Sequence, residues 1–219
     1  MPKHSSPVAE STASVAAATA TRLVLASASP RRLELLLRVG LTPEVDPADV
    51  DESVVDGETA AEYVERVALD KARVVSLRHP DAIVLAADTS VVLGGDVLGK
   101  PDDADHALAM LRQLVGRSHT VMTAVVVMSP TPSNGSTDRV TYTTLERATV
   151  TMADASEAEL HWYVDTGEPL DKAGSFALQG IGAALVERVE GDPTTVIGLP
   201  LRATLHALRT AGHQWPSTI

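Results

Sequence analysis

The stretch RLVLASASPRRLELLLRVG, residues 22–40, changes its structural grammar midway. RLVLA (22–26) has the pattern of a short buried strand. Ser29 then stands as an N-cap, Pro30 at the first helical position and Gly40 as the C-terminal stop of a helix. The segment therefore reads as a strand, a tight turn and a helix. Its charge conflicts with its geometry, because a helix N-terminus already carries about half a positive charge. Arg31 and Arg32 nevertheless occupy the first turn. An incoming phosphate would remove the conflict through the first-turn N–H groups, the hydroxyls of Ser27 and Ser29, and the two guanidinium forks. The competing reading is a solvated arginine pair on an ordinary capped helix.

The rest of the chain repeats the alternation. TAAEYVERVALDKARVVSL (59–77) predicts a second, amphipathic helix with Tyr63, Val67, Val74 and Leu77 at helical spacing. AIVLAADTSVVL (82–93) is too uniformly apolar for an edge strand, and Gly94-Gly95-Asp96 turns it back into DVLG, which predicts a central strand and a hairpin. Asp102 is placed to cap a helix running to Leu114, stopped by Gly116. HTVMTAVVVM and RVTYTTLERATVTM are strand-like, and SPTPSNGSTD between them reads as a surface loop. Ser156 with Glu159 forms a capping-box pattern before a helix ending at Gly167, and Pro200 opens a last helix ending near Gly212. Interleaved strands and helices without a repeat or an internal linker predict an α/β class with a mixed sheet, flanked by helices, in one domain over residues 21–215. Residues 1–20, rich in Ala and Ser and lacking Leu, Ile and Phe, read as a disordered tail rather than a signal peptide.

The 219 residues are 44% hydrophobic, ample for a buried core, and carry a formal net charge of −11. That charge repels polyanions at long range, so a basic site must be local and aimed at a small anion, and nucleic-acid polymer is not an expected partner. With no cysteine there is neither a disulfide framework nor a thiolate metal site, which is consistent with a cytoplasmic location. No run approaches the roughly 20 apolar residues of a membrane span.

Asp88 and Thr89 interrupt the most hydrophobic strand, and a buried carboxylate needs compensation. The candidates are a metal ion, a lysine such as Lys100 across the hairpin, or exposure at a strand end. EVDPADVDES holds five carboxylates between Glu44 and Glu52, among which Asp51 and Glu52 are candidate oxygen ligands for Mg²⁺ or Mn²⁺. The other reading of this segment is a solvated loop. The seven scattered histidines give no zinc pattern. DKAGSFALQGIGAALVE (171–187) brings Lys172, Phe176 and Gln179 together. Its glycines permit close backbone approach, and the amide of Gln179 offers both a donor and an acceptor for the edge of a base.

With these motifs the chain resembles the Maf family of nucleoside triphosphate pyrophosphatases, which have a Maf/HAM1-like (ITPase-like) α/β fold with a central cleft. The resemblance is carried by SASPRR (27–32), AADTSVVLGGDVLGKP (86–101), MLRQLVGRSHTVMTAV (110–125), EPLDKAGSFALQG (168–180) and VIGLPL (196–201), in that order over residues 22–210. It implies hydrolysis of a nucleoside triphosphate to the monophosphate and pyrophosphate with a divalent metal. It also implies a role in clearing unusual nucleotides before they enter nucleic acid, or in restraining cell division.

Position by position, the resemblance implies Asp88 as catalytic acid/base and, with Glu52, as metal-holding group. It implies Arg31, Thr89 and Gln179 as specificity residues, and Arg32, Lys71 and Lys100 as phosphate-binding groups, beside Ser29 at the helix start. Whether Asp88 acts on water directly or through a metal stays open. DKAG followed by an aromatic and then QG resembles the branch that prefers dTTP and UTP. Ala177 and Pro193 depart from the family pattern near the pocket. The family suggests a homodimer. The alternative to an enzyme is a non-catalytic nucleotide-binding regulator of cell division.

Overall fold

A computed structural model describes residues 21–132 and 139–216. The expected tail and most of the loop between the long strands lie outside the described residues. The strand, turn and helix of the opening motif are β1 (Leu23–Leu25) and α1 (Pro30–Arg38), with Ser29 at the N-cap position and Gly40 at φ 79° just after the helix. A two-residue strand β2 (Glu44–Val45) follows, then α2 (Ala60–Arg78), whose N-cap Thr59 forms a complete capping box with Glu62. β3 (Ile83–Leu93) and β4 (Asp96–Leu98) are the predicted hairpin. Its two turn glycines take φ values of 63° and 106°, the left-handed region that a tight two-residue hairpin turn requires.

α3 (Ala104–Leu114) is capped by Asp103 rather than Asp102, with the Asp103 carboxylate accepting from His106 N at 2.7 Å. Asp102 instead bonds the His106 ring at 3.0 Å. The long strands β5 (Ser118–Met128) and β6 (Thr141–Met152) are followed by α4 (Glu157–Asp165), which opens with the Ser156–Glu159 capping box. Three short 3₁₀ turns between Glu168 and Leu185 lead to β7 (Val186–Glu190), α5 (Pro193–Ile197) and α6 (Leu201–Thr210).

Among the described residues the sheet has seven strands, in the order β2-β1-β3-β5-β6-β7, with β4 joined to β3 outside that path. β1 pairs in parallel with β2 and β3, and the remaining pairings are antiparallel, so the sheet is mixed and β3 is central. Alternation along β3 sends its side chains to the two faces of the sheet. Ile83, Leu85 and Ala87 pack with α1 and α6 through Leu35, Leu36, Leu205 and Leu208, while Val84 and Ala86 pack against Val64, Ala68 and Val75 of α2. A third core under α3 and α4 gathers Leu111, Leu114, Leu160 and Tyr163 around Val91 and Phe176.

The buried face of α2 differs from the expected one. Val64, Val67, Ala68, Lys71, Ala72 and Val75 point inward, whereas Leu77 is 83% exposed. Tyr63 and Val74 flank the buried stripe. Small and β-branched residues let this helix lie close on the sheet, and the resulting phase turns Lys71 inward.

His119 on β5 sits in the third core with its ring edge-on to Phe176, centroids 5.2 Å apart, and neither ring nitrogen has a hydrogen-bond partner among the described residues. Burial lowers its pKa to about 4. Because the folded state binds this proton less readily than the unfolded chain, His119's contribution is full above pH about 6.5 and is lost as pH falls towards about 4. That contribution amounts to roughly 3 kcal/mol. Urea unfolding of the wild type and of His119→Met should show the wild type losing about that much more stability between neutral pH and pH about 4. Parallel pH dependences would refute a neutral buried imidazole.

Candidate active site

The sheet is split along one edge of β3. β5 pairs with the other edge continuously from Val84 to Val92. On the split edge β1 pairs only with Ile83 to Leu85, and β4 only with Val91 to Leu93. On that edge no strand among the described residues lies beside Ala86–Ser90, and the turn from β1 into α1 borders the gap. The cleft formed there has a volume of about 460 Å³, which suits a nucleotide-sized ligand. Its walls include Ser27 to Arg32, Glu52, Lys71, Asp88, Thr89, Lys100, Phe176, Gln179 and Gly198. Of the residues expected at the site, Ser29, Arg31, Arg32, Glu52, Lys71, Asp88, Thr89, Lys100 and Gln179 line this one cavity, and Asp51 does not.

Asp88 and Thr89 point to opposite faces of β3 at the split. Asp88, 7% exposed, accepts from Lys71 Nζ at 2.8 Å, and the same ammonium lies 2.7 Å from Glu52 Oε1. The cation that compensates the buried carboxylate is therefore Lys71, not Lys100, which stands exposed on the rim. Burial pushes the Asp88 carboxyl above the usual carboxylate range, and the charges of Lys71 and Arg32 only partly oppose that rise. Glu52 is held in place by its own backbone, whose carbonyl accepts from the Tyr63 hydroxyl at 3.0 Å. Asp51 turns away to bond Ser53 N and Oγ at 2.9 and 2.6 Å, so it is not brought to the cleft.

On the other face, Arg32 is the hub. Its Nε donates to Gly198 O at 2.8 Å, Nη1 to Ser27 Oγ at 3.0 Å and Nη2 to Thr89 Oγ1 at 3.2 Å. Thr89 Oγ1 also lies 2.9 Å from Thr123 Oγ1, and Thr123 in turn donates to Thr195 O at 2.8 Å. Burial lowers the Arg32 pKa, while the nearby Asp88 charge raises it and Arg31 lowers it further. A guanidinium has five N–H donors, so three bonds leave two for a ligand. Ser29 holds the N-cap position without a side-chain capping bond, and its own N–H donates to Ser27 Oγ at 3.2 Å. Arg31 reaches across the cleft to Asp171 Oδ2 at 3.2 Å.

A further wall comes from the segment 168–185, through Asp171 to Ala173 and Phe176 to Gln179. Phe176 is both core and cleft wall, at 5% exposure. The Tyr163 hydroxyl fixes the segment by accepting from Ala177 N at 3.1 Å and donating to Glu168 Oε2 at 2.9 Å. The Glu168 carboxylate accepts from Ile181 N and Gly182 N at 2.9 and 2.7 Å. A Cβ on Gly182 would lie 2.4 Å from the Tyr163 hydroxyl oxygen, so glycine is required by this approach. Lys172 is tied to the Glu168 carbonyl at 3.0 Å and to the Asp171 carboxylate. Pro193 starts α5 and is absent from the cleft wall, whereas Ala177 forms part of it.

Glu34, Asp171, Thr123 and Gly198 also stand at the site, and no motif in the sequence marks them for it. Glu34 had one visible signal, its i,i+4 spacing to Arg38, which it contacts at 2.6 Å. Its second partner is Gln179, whose Nε2 donates to Glu34 Oε2 at 2.8 Å from 145 positions away.

Among the described residues no group of three or more His, Asp or Glu is gathered to hold a metal ion. Asp88 and Glu52 do share one cation, each giving Lys71 a single oxygen. Two carboxylates together with ligand phosphate oxygens form a hard oxygen donor set, which fits Mg²⁺ or Mn²⁺. No helix among the described residues is long and apolar enough to cross a membrane.

This construction defines a class: an α/β protein with a cation-lined cleft opening at a split in its mixed sheet. The family description "Maf-like protein" matches residues 22–211, and the chain belongs to the Maf family. It is 53% identical over 197 residues to a dTTP/UTP pyrophosphatase of Anaeromyxobacter dehalogenans (strain 2CP-1 / ATCC BAA-258), covering 90% of this chain and 97% of that one. It is 49% identical over 196 residues to a dTTP/UTP pyrophosphatase of Myxococcus xanthus (strain DK1622), covering 90% and 95%. Among solved structures, the Staphylococcus aureus Ham1 protein aligns loosely, with TM-score 0.43 and 16% identity over 62% of this chain and 73% of that one.

Proposed function

We propose that the chain hydrolyses dTTP and UTP to the nucleoside monophosphate and pyrophosphate, as the names of its relatives describe for them. The observation that carries the reading is the buried Asp88 carboxylate at the split in the sheet, flanked by Lys71 on one face of β3 and Arg32 on the other. Binding a nucleotide does not by itself call for a buried carboxylate beside the phosphate cations. A group that takes a proton from water does, and burial has raised its basicity.

Arg32, Lys100 and the first turn of α1 hold the phosphate chain, while Arg31, Thr89 and Gln179 sort substrates. Asp88 accepts a proton from a water as that oxygen bonds to the α-phosphorus. The bond from that phosphorus to the bridging oxygen breaks, and pyrophosphate leaves. Positioning and charge neutralisation supply most of the acceleration in such a displacement. Asp88 and Glu52 would hold the divalent cation, which supplies Lewis-acid neutralisation of phosphate charge. Residues 21–215 form the working domain, and the protein acts in the cytoplasm, as a homodimer.

A nucleotide panel with product identification tests the reading. Purified protein with Mg²⁺ or Mn²⁺ should release pyrophosphate from dTTP and UTP at least about tenfold faster, in kcat/KM, than from CTP or ATP. Release of orthophosphate, or binding without turnover across the panel, would replace hydrolysis at the α-phosphorus by another activity.

A further inference from the structure

Gln179 lines the cleft, yet its amide is not free to turn. A carboxylate ion has no donor, so the Gln179 atom that meets Glu34 Oε2 at 2.8 Å must be the nitrogen. The other Glu34 oxygen is taken by Arg38 Nη2 at 2.6 Å, which holds the carboxylate in place on the exposed face of α1. The orientation of the amide follows from these two bonds. Gln179 Oε1, shielded from solvent, has no hydrogen-bond partner among the described residues, and a buried acceptor left unpaired costs stability. Nε2 retains a second hydrogen beyond the one given to Glu34. In this cleft-wall residue an acceptor and a donor are thus fixed side by side.

We propose that Glu34 is a specificity-positioning residue, which locks the Gln179 amide so that it pairs with the imide edge of a pyrimidine. Oε1 accepts from the ring N3–H of uracil or thymine, and the remaining Nε2 hydrogen donates to the adjacent ring carbonyl. Cytosine presents an acceptor at N3 and an amino donor at C4, so the same amide meets it with like groups opposed. Without Glu34 the amide could flip and accept cytosine as readily, because a terminal amide rotation is nearly two-fold. The proposal rests on the pyrophosphatase reading for its substrate class. It adds the residue that sets which pyrimidine is taken.

The test compares wild type with Glu34→Gln and Glu34→Ala on UTP, CTP and N3-methyl-UTP. In wild type, CTP and N3-methyl-UTP should each be worse than UTP by about tenfold or more in kcat/KM, since each loses a hydrogen bond and leaves Oε1 unpaired. In both variants the UTP preference over CTP should shrink by about tenfold, chiefly through a rise in KM for UTP, with kcat for UTP nearly kept. A merely structural Glu34 would lower Tm and activity on both nucleotides equally, leaving the ratio unchanged, and that outcome overturns the proposal. So does a wild type indifferent to N3 methylation. Should the folded wild type turn over no triphosphate, the pyrophosphatase reading fails by itself. Calorimetric binding of UMP against CMP to wild type and Glu34→Ala then decides the role of Glu34 on the same ratio.

Discussion

Asp88→Asn should lower kcat/KM for dTTP and UTP by about 10³-fold while the protein stays folded, the size expected when a general base is removed from a positioned site. Asparagine keeps the shape and can still accept from Lys71 Nζ, now 2.8 Å from Oδ1, but cannot take a proton from water. The ionised carboxylate is costly in this buried place, as its raised pKa records, so a neutral isostere removes that cost. Lys71 keeps Glu52 as an anionic partner. A small change in Tm with a large loss of activity is therefore the expected combination, and full activity in the variant would remove Asp88 from the reaction.

The pH dependence follows with a definite sign. A base works only when deprotonated, so wild-type kcat/KM should fall as pH drops through a pKa above the ordinary aspartate value of about 3.9. Lys71 is the largest influence holding that pKa down against burial. Lys71→Met should consequently move the acid limb to higher pH, beyond any loss of phosphate affinity. An acid limb that stays put in this variant would mean that another group is titrating.

Arg32→Met should reduce kcat/KM by about 10²-fold and also lower stability by about 2 kcal/mol, because its guanidinium serves both the ligand and the protein. Three of its donors tie the C-terminal end of α5, the β1–α1 turn and β3 together through Gly198, Ser27 and Thr89. Loss of these leaves acceptors unpaired at the junction, including Thr89, which then retains only Thr123. The two remaining donors face the phosphate in the proposed mode of binding. Arg32→Lys keeps the charge but not the fork, so it should recover part of the affinity and little of the stability. Thermal melts and triphosphate titrations on both variants separate the two roles. Unchanged affinity with lowered Tm would make Arg32 a strut alone.

The elements that were legible in the sequence are those written in local chemistry. Thr59 with Glu62 and Ser156 with Glu159 fold into capping boxes because both partners lie within one helical turn. Gly94 and Gly95 make the hairpin because they supply the backbone angles the turn needs. Short elements escaped: β2, with two residues, exists only because β1 runs beside it, and β7 only because it pairs with β6. The phase of α2 is not legible in the sequence because Ala68 and Ala72 carry little hydrophobic signal, although they form the contact with the sheet. The partner of Asp88 is hidden with it, since Lys71 lies on the same buried face.

By itself the sequence marked a candidate anion site where a strand hands over to a capped helix, with a solvated arginine pair as the competing reading. Two arginines at a positive helix end and a carboxylate inside an apolar strand are local electrostatic conflicts that any fold of this chain must resolve. The tertiary structure decided how they are resolved. It set Lys71 rather than Lys100 against Asp88, Arg32 against Thr89 across 57 positions, and Glu34 against Gln179 across 145. These pairings depend on where β1 leaves β3 and β4 joins it, a register fixed by packing of the whole sheet and recorded in no local pattern of residues.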